Sequence, residues 1–310
     1  MMRCFVSRAV PGDALERLSA SHDVTVWPDP QPPTPEQLRA ACASADGLLC
    51  LLTDRIDEAL LDAAPGLRVI ANYAVGSDNI DLAATSARGI LVGVTPDVLT
   101  DATADLAMAL LLAVARRLPE AAADVREGRW RTWQPAGWLG LELAGATLVI
   151  VGAGRIGRAT GRRAEAFGMR VVYVRRDDDL HSALATADVV SLHLPLSQQT
   201  RHLIDSEALR AMKPSALLVN TARGGLVDQP ALSRALAEGW IAGAGLDVTD
   251  PEPLSAADPL LVAPNVLILP HIGSATQLAR ERMAQRTVDN LLAGLAGEPL
   301  PTPATVPAGV

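Results

Sequence analysis

Lysine is almost missing from this 310-residue chain: Lys213 is the only one, and arginine carries the rest of the positive charge. That residue lies in Met212-Lys213-Pro214-Ser215, a helix-to-strand turn, so Schiff-base chemistry and a P-loop, which both need a placed lysine, are poorly supported. Cysteine is scarce too. Cys4, Cys42 and Cys50 are odd in number and sit among apolar residues, so they read as reduced core residues of a cytoplasmic protein and exclude a disulfide framework. No pair of histidines, cysteines or carboxylates has ligand spacing, and no metal is expected. Long apolar runs are also absent. The longest, Leu106–Ala115, is too short to span a bilayer, and no apolar stretch follows Arg3 that would read as a signal peptide. A surplus of positive charge is lacking as well. The net charge of −8 argues against a nucleic-acid or anionic-membrane partner.

What is present is an alternating α/β pattern long enough for one large domain or two medium ones. Its most informative stretch is Thr147–Gly157, TLVIVGAGRIG. A short apolar strand ends in Gly152-Ala153-Gly154-Arg155-Ile156-Gly157, which opens into a helical pattern. In such a GxGxxG turn the first glycine permits the tight turn, the second lets the backbone approach a pyrophosphate, and the third packs helix on strand. The helix N-terminus offers unpaired N–H groups and the positive end of its dipole to phosphates. Strand, turn and helix occur in the required order, and another strand, Arg170–Val174, follows at βαβ distance.

Strand candidates before residue 100 are Arg3–Ser7, Asp23–Trp27, Gly47–Leu52, Leu67–Tyr73 and Gly89–Val94. Helical patterns separate most of them; Pro35–Ala45, entered from Thr34, is one. The second series is Thr147–Val151, Arg170–Val174, Asp188–Leu194, Ala216–Asn220, Ala242–Leu246 and Asn265–Leu269, which fits a complete dinucleotide-binding sheet. Between them a helix is expected over Thr100–Leu118, capped by Asp97 or Thr100. A tryptophan-rich segment follows, with Trp130, Trp133 and Trp138. A last helix, Ala275–Leu295, returns to the first domain, and an irregular Pro-rich tail runs from Glu298. The fold class is therefore α/β, with two doubly wound parallel-sheet domains joined by interdomain helices. Residues 1–98, completed by 275–310, form one domain, and residues 99–274 form the larger, dinucleotide-binding Rossmann domain.

Ligands of open α/β sheets bind at the carboxyl ends of strands. Those ends are Gly152, Arg175-Arg176, Pro195, Thr221-Ala222-Arg223, Asp247 and His271. Arg175 stands where an acidic residue would bond the adenine ribose, and an arginine pair there would attract a 2′-phosphate. A solvated charge pair balanced by Asp177-Asp178-Asp179 is the plainer alternative. The position favours NADP(H), with NAD(H) possible. Arg223 follows a buried strand and precedes Gly224-Gly225, where a guanidinium can clamp a carboxylate and polarise the adjacent carbonyl; a capping or salt-bridge role is the alternative. His271, in Leu269-Pro270-His271-Ile272-Gly273-Ser274, suits a proton donor if a carboxylate such as Glu252 holds its tautomer. His22, His181, His193 and His202 read as surface or packing residues.

These stretches also carry a resemblance. Asn72-Tyr73-Ala74-Val75-Gly76-Ser77-Asp78-Asn79-Ile80-Asp81, the VGAGRIG fingerprint, Leu192-His193-Leu194-Pro195-Leu196, Asn220-Thr221-Ala222-Arg223-Gly224-Gly225, Gly245-Leu246-Asp247-Val248 through Glu252-Pro253, and Pro270-His271-Ile272-Gly273 make the chain similar, over nearly its full length, to the D-isomer-specific 2-hydroxyacid dehydrogenases. The resemblance implies catalytic roles for Arg223 (substrate binding), His271 (proton donor) and Glu252 (its partner). It gives the substrate carboxylate to the Val75 and Gly76 backbone amides and the nicotinamide amide to Asp247. Cofactor contacts are expected from Gly152, Gly154, Arg155, Ile156, Gly157, Arg175, Arg176, Pro195, Thr221, Ala222, Asp247, His271 and Gly273, and substrate contacts from Val75, Gly76, Arg223 and His271.

Within that family the arginine pair and the tryptophans look most like glyoxylate/hydroxypyruvate reductases, so the expected activity is NADPH-preferring reduction of a small 2-oxoacid to a D-2-hydroxyacid. Phosphite dehydrogenases share a stretch like Trp133-Gln134-Pro135 but carry a lysine where this chain has Val75. A nucleotide-sensing scaffold, as in the related C-terminal-binding corepressors, keeps the same triad; the lack of extended disordered or basic regions counts against it. A homodimer through the cofactor domains is expected, with Trp138 reaching toward the neighbouring pocket.

Overall fold

In the computed structural model, which describes residues 1–305, the chain divides into two compact units. Met1–Leu99 and the segment from Ser274 form the first, and Thr100–Gly273 the second. The first unit begins β1 (Arg3–Val6), α1 (Ala14–Ser19), β2 (Asp23–Val26), α2 (Pro35–Cys42), β3 (Gly47–Cys50), α3 (Glu58–Ala63), β4 (Val69–Asn72), α4 (Leu82–Ala87) and β5 (Leu91–Gly93). Its sheet has the order β2-β1-β3-β4-β5, with every pair parallel. Helices cover both faces, so β3 and β4 are buried at every residue and read as continuous apolar runs. The start of α2 follows from its sequence. Thr34 Oγ1 accepts the Gln37 N–H, Gln37 Oε1 accepts the Thr34 N–H, and Pro35 begins the helix without an N–H to satisfy.

The second unit contains α5 (Thr100–Ala115), α6 (Leu118–Arg126), β6 (Thr147–Val151), α7 (Arg155–Ala166), β7 (Arg170–Val174), α8 (Leu180–Thr186), β8 (Val189–Leu192), α9 (Ser206–Ala211), β9 (Leu217–Asn220), α10 (Gln229–Ala237), β10 (Gly243–Leu246) and β11 (Val266–Ile268). The sheet order is β11-β10-β9-β8-β6-β7, again all parallel. Both doubly wound parallel sheets expected from the sequence are present. From β6 the chain first adds β7 on one side and then crosses to β8 on the other, which opens a crevice at the carboxyl ends of β6 and β8.

The helix expected over Thr100–Leu118 is shorter, and a second helix begins where it was expected to end. It stops at Ala115, Arg117 turns left-handed (φ 51°), and α6 starts at Leu118. Pro119 explains the break, because inside a helix it would remove a backbone bond and clash with the preceding turn, whereas in a first turn it is harmless. The last helix, α11 (Gln277–Ala296), belongs to the first unit; Thr276 caps its start and left-handed Gly297 its end. The Pro-rich tail forms no helix or strand through residue 305, yet it is anchored. Val94 N–H donates to the Thr302 carbonyl at 3.0 Å and Ala304 N–H to Val92 at 2.7 Å. The remainder of that tail, 306–310, lies outside the described residues. All three cysteines are buried free thiols, and burial pushes Cys4 up to about 11 and Cys42 to about 12, so both are protonated and unreactive.

Candidate active site

The fingerprint turn sits at the topological crevice. Gly152 is left-handed (φ 100°), and a Cβ there would fall 2.5 Å from the His193 carbonyl oxygen. A Cβ on Gly157 would fall 2.2 Å from the Gly152 oxygen, so α7 packs directly on the turn. Gly154 is different: a Cβ there would meet nothing within 4 Å, which leaves its backbone open to an approaching group. Arg155 and Ile156 open α7, whose first N–H groups have no partner within the helix. Arg158 Nε donates to the Ala153 carbonyl at 2.9 Å and fastens the turn.

Across the crevice, β8 is followed by His193, Leu194 and Pro195. His193 Nε2 lies 2.8 Å from Ser191 Oγ, and burial pushes the imidazole down to about 4, so it is neutral near pH 7. No local pattern places this histidine beside the fingerprint, because strand order cannot be read from strand positions alone.

Arg175 and Arg176 follow β7 and are exposed. Two of the three acids that follow them bond backbone N–H groups. Asp178 Oδ2 accepts the Arg175 backbone N–H at 2.7 Å, and Asp179 caps α8 through the Ser182 N–H. Arg176 Nη2 donates to Gln199 Oε1 at 3.0 Å. The Arg175 guanidinium makes no bond or ion pair among the described residues.

The ends of three adjacent strands, β9, β10 and β11, carry the remaining groups. Buried Asn220 shapes the first: its Oδ1 accepts the Ala222 N–H at 3.0 Å and its Nδ2 donates to the Arg223 carbonyl at 2.8 Å. The hydroxyl of Thr221 in that turn is buried and has no partner among the described residues. Arg223 Nη1 donates to the Ala222 carbonyl at 2.8 Å. A Cβ on Gly224 would lie 2.0 Å from the Thr249 carbonyl oxygen, so glycine lets the loop after β10 pack against the Arg223 turn.

That loop carries Glu252. Its Oε1 accepts the Thr249 N–H at 3.0 Å, and its Oε2 lies 2.9 Å from His271 Nδ1. Burial opposes the charge on Glu252, but the His271 hydrogen bond and charge, the Thr249 N–H and nearby Arg223 together hold its carboxyl below the usual range. Among the described residues His271 Nε2 has no hydrogen-bond partner. Asp247, 1% exposed, organises the His271 loop: its Oδ1 accepts the Ile272 N–H and its Oδ2 the Gly273 N–H, both at 2.7 Å. Burial pushes this carboxyl up, against the pull of those two amides and of His271. Val75 and Gly76 lie in the first unit, in the loop after β4.

Three observations fit a dinucleotide at this crevice: the clearance over Gly154, the N-terminus of α7 that follows it, and the orphaned Thr221 hydroxyl. Among the described residues no group of three or more histidines, cysteines or carboxylates could hold a metal ion, and no helix is long and apolar enough to cross a membrane.

Comparisons with known proteins point the same way. The profile of the NAD binding domain of D-isomer specific 2-hydroxyacid dehydrogenases matches residues 108–273. A glyoxylate reductase of Korarchaeum cryptofilum is 48% identical over 310 residues, covering 96% of this chain and 93% of its own. One from Thermococcus litoralis is 46% identical, covering 96% and 94%. Among solved structures, the TT0316 protein of Thermus thermophilus superposes with a TM-score of 0.93 at 51% identity, covering 98% of this chain and 100% of its own. The NADPH-dependent glyoxylate/hydroxypyruvate reductase of Sinorhizobium meliloti, solved with NADP and malonate, gives 0.85 at 34% identity, covering 98% and 96%.

Proposed function

Since the chain belongs to the D-isomer specific 2-hydroxyacid dehydrogenase family and is an NAD(P)-dependent oxidoreductase, we propose that it reduces a small 2-oxoacid, glyoxylate or hydroxypyruvate foremost, to the D-2-hydroxyacid with NADPH as preferred cofactor. The observation that carries this reading is the 2.9 Å pair of Glu252 and His271 at the strand ends beside the Arg223 turn.

When bound, the reduced nicotinamide supplies the hydride. The protein's own residues do the rest. Gly152, Gly154, Gly157 and the N–H groups of Arg155 and Ile156 receive the pyrophosphate. Arg175 and Arg176 take the 2′-phosphate, and Pro195, Thr221, Ala222, Asp247 and Gly273 line the remaining cofactor contacts. The Val75 and Gly76 amides hold the substrate carboxylate, and Arg223 binds the carboxylate and polarises the adjacent carbonyl. With Nδ1 engaged by Glu252, His271 presents its protonated Nε2 to the developing alkoxide. Orientation and charge placement are the protein's contribution to rate.

The working form is a homodimer. The segment after α6 exposes Trp130 (68%), Trp133 (79%) and Trp138 (42%), more aromatic surface than a solvent-facing connection carries. The test of the activity is a panel of 2-oxoacids assayed with NADPH and NADH. Turnover of glyoxylate and hydroxypyruvate, faster with NADPH, is expected; no turnover of any 2-oxoacid overturns the reading.

A further inference from the structure

We infer that Asn72 is a positioning residue for the loop that receives the substrate carboxylate; the inference rests on the role proposed above for Val75 and Gly76. Asn72 ends β4 and is wholly buried. Its Nδ2 donates to the Gly76 carbonyl at 2.9 Å and to Asn79 Oδ1 at 3.0 Å, while its Oδ1 accepts the Cys50 thiol at 3.4 Å. Both amide hydrogens and the oxygen are thus engaged, and turning the amide over would set its oxygen against two other oxygens.

The consequence lies in what those bonds leave open. The Ala74 carbonyl accepts the Thr95 N–H at 2.8 Å, and the Gly76 carbonyl accepts Asn72. Across a trans peptide the carbonyl and N–H point in opposite directions. Tying these two carbonyls inward therefore aims the N–H groups of Val75 and Ser77 outward. Among the described residues the N–H groups of Val75, Gly76 and Ser77 have no partner, and the Val75 side chain is 41% exposed. Successive unpaired N–H groups of this kind form a concavity for an anion. Thr95 fixes one edge of it through the backbone. Asn72 is the only side chain that holds the other edge among the described residues.

Asn79 extends the same device. Its Nδ2 donates to the Leu51 and Asp54 carbonyls at 3.1 and 3.0 Å, so one pair of asparagines holds the loop after β3 and the loop after β4 in register. A carboxylate at position 72 keeps the shape but loses both donors and faces the Gly76 oxygen with an oxygen.

The test compares the wild-type protein with Asn72→Asp and Asn79→Asp. Measured are KM and kcat for glyoxylate, binding of oxalate to the NADPH complex by calorimetry, NADPH affinity, and the melting temperature. Asn72→Asp should raise KM and weaken oxalate about tenfold, the scale of one lost hydrogen bond, while kcat and NADPH affinity move less than about threefold. Asn79→Asp, which keeps the acceptor for Asn72, should show a smaller rise and supplies the same comparison if Asn72→Asp does not fold. A residue that only stabilises the fold would lower the melting temperature and leave KM and oxalate binding alone; that result overturns the inference while the proposed function stands. A wild-type protein that neither reduces a 2-oxoacid nor binds oxalate overturns both.

Discussion

Asp247 holds His271 in a left-handed backbone conformation. The Asp247 carbonyl accepts the His271 N–H at 2.9 Å, its carboxylate takes the next two N–H groups, and His271 sits at φ 55°. A non-glycine residue in this region is uncommon and persists where its surroundings dictate it. With the loop held by these three bonds, His271 Nδ1 meets Glu252, and Nε2 has no partner among the described residues.

The first prediction concerns the acid. His271→Ala should lower kcat by roughly 10²–10⁴, the usual contribution of a positioned acid, with NADPH binding nearly unchanged. Glu252→Gln removes the carboxylate that holds His271 Nδ1 and should also lower kcat while NADPH binding holds. Glu252 itself titrates below the ordinary glutamate range, so in the wild type its charge persists into acid and is lost only as pH falls through that lowered value. A wild-type rate in His271→Ala or in Glu252→Gln would count against the pair.

Arg223→Lys keeps the charge and loses the planar fork that meets a carboxylate and a carbonyl together. Steady-state kinetics should show kcat/KM for glyoxylate down by about tenfold or more, the scale of one charge-assisted bond. Full activity would make Arg223 a structural residue of its turn.

Both sheets were legible in the sequence because buried parallel strands read as unbroken apolar runs and the fingerprint marks one strand end without ambiguity. Arg223, Glu252 and His271 were legible for the same reason: each follows a recognisable strand. Three features were not. The break at Arg117 was hidden by the apolar periodicity that runs through it, although Pro119 was the available signal. The place of His193 depends on β8 lying beside β6, a pairing between segments that no local pattern specifies. The hold of Asp247 on the His271 loop is the third: its carboxylate oxygens accept the Ile272 and Gly273 N–H groups, a backbone partnership that leaves no trace in residue type.

Cofactor preference should rest on Arg175, whose guanidinium has no competing partner among the described residues. A charge-assisted bond is worth roughly 1.5–3 kcal/mol, so Arg175→Asp, which also adds repulsion toward a 2′-phosphate, should invert the ratio of kcat/KM for NADPH over NADH. Equal use of both cofactors by the wild type would remove the basis for this assignment.

His193 should make stability depend on pH. Its folded value of about 4 lies below the ordinary 6.5, so between those values the unfolded chain binds the proton that the folded chain refuses. Stability is therefore full above pH 6.5 and falls as pH drops toward 4. From pH 7.5 to 5 the loss from this one group is at most about 2 kcal/mol. Denaturant titrations at the two pH values should show a smaller loss in His193→Gln, which keeps a polar reach toward Ser191 but cannot titrate. Identical losses in the two proteins would place the histidine in water.

Assembly provides the last prediction. Trp138 has a left-handed backbone (φ 55°), and the Arg117 guanidinium lies 5.3 Å from its ring centroid. Arg117 is itself held by both Glu120 oxygens at 2.9 Å. The ring is thus fixed by the break between α5 and α6, yet 42% of the residue stays exposed, and Trp130 and Trp133 are more exposed still. A second copy of the chain packing on this segment would remove that aromatic surface from water, and each ring buried would contribute on the order of 1.5–3 kcal/mol. Sedimentation equilibrium should find a dimer at micromolar concentration, and Trp130→Ala with Trp133→Ala should shift it toward monomer. Trp138→Ala should change the ratio of kcat/KM between glyoxylate and hydroxypyruvate while NADPH affinity holds, the outcome expected of a ring placed at the neighbour's substrate pocket. A fully active monomer refutes the interface; unchanged selectivity in a dimeric Trp138→Ala refutes the pocket role and leaves the interface intact.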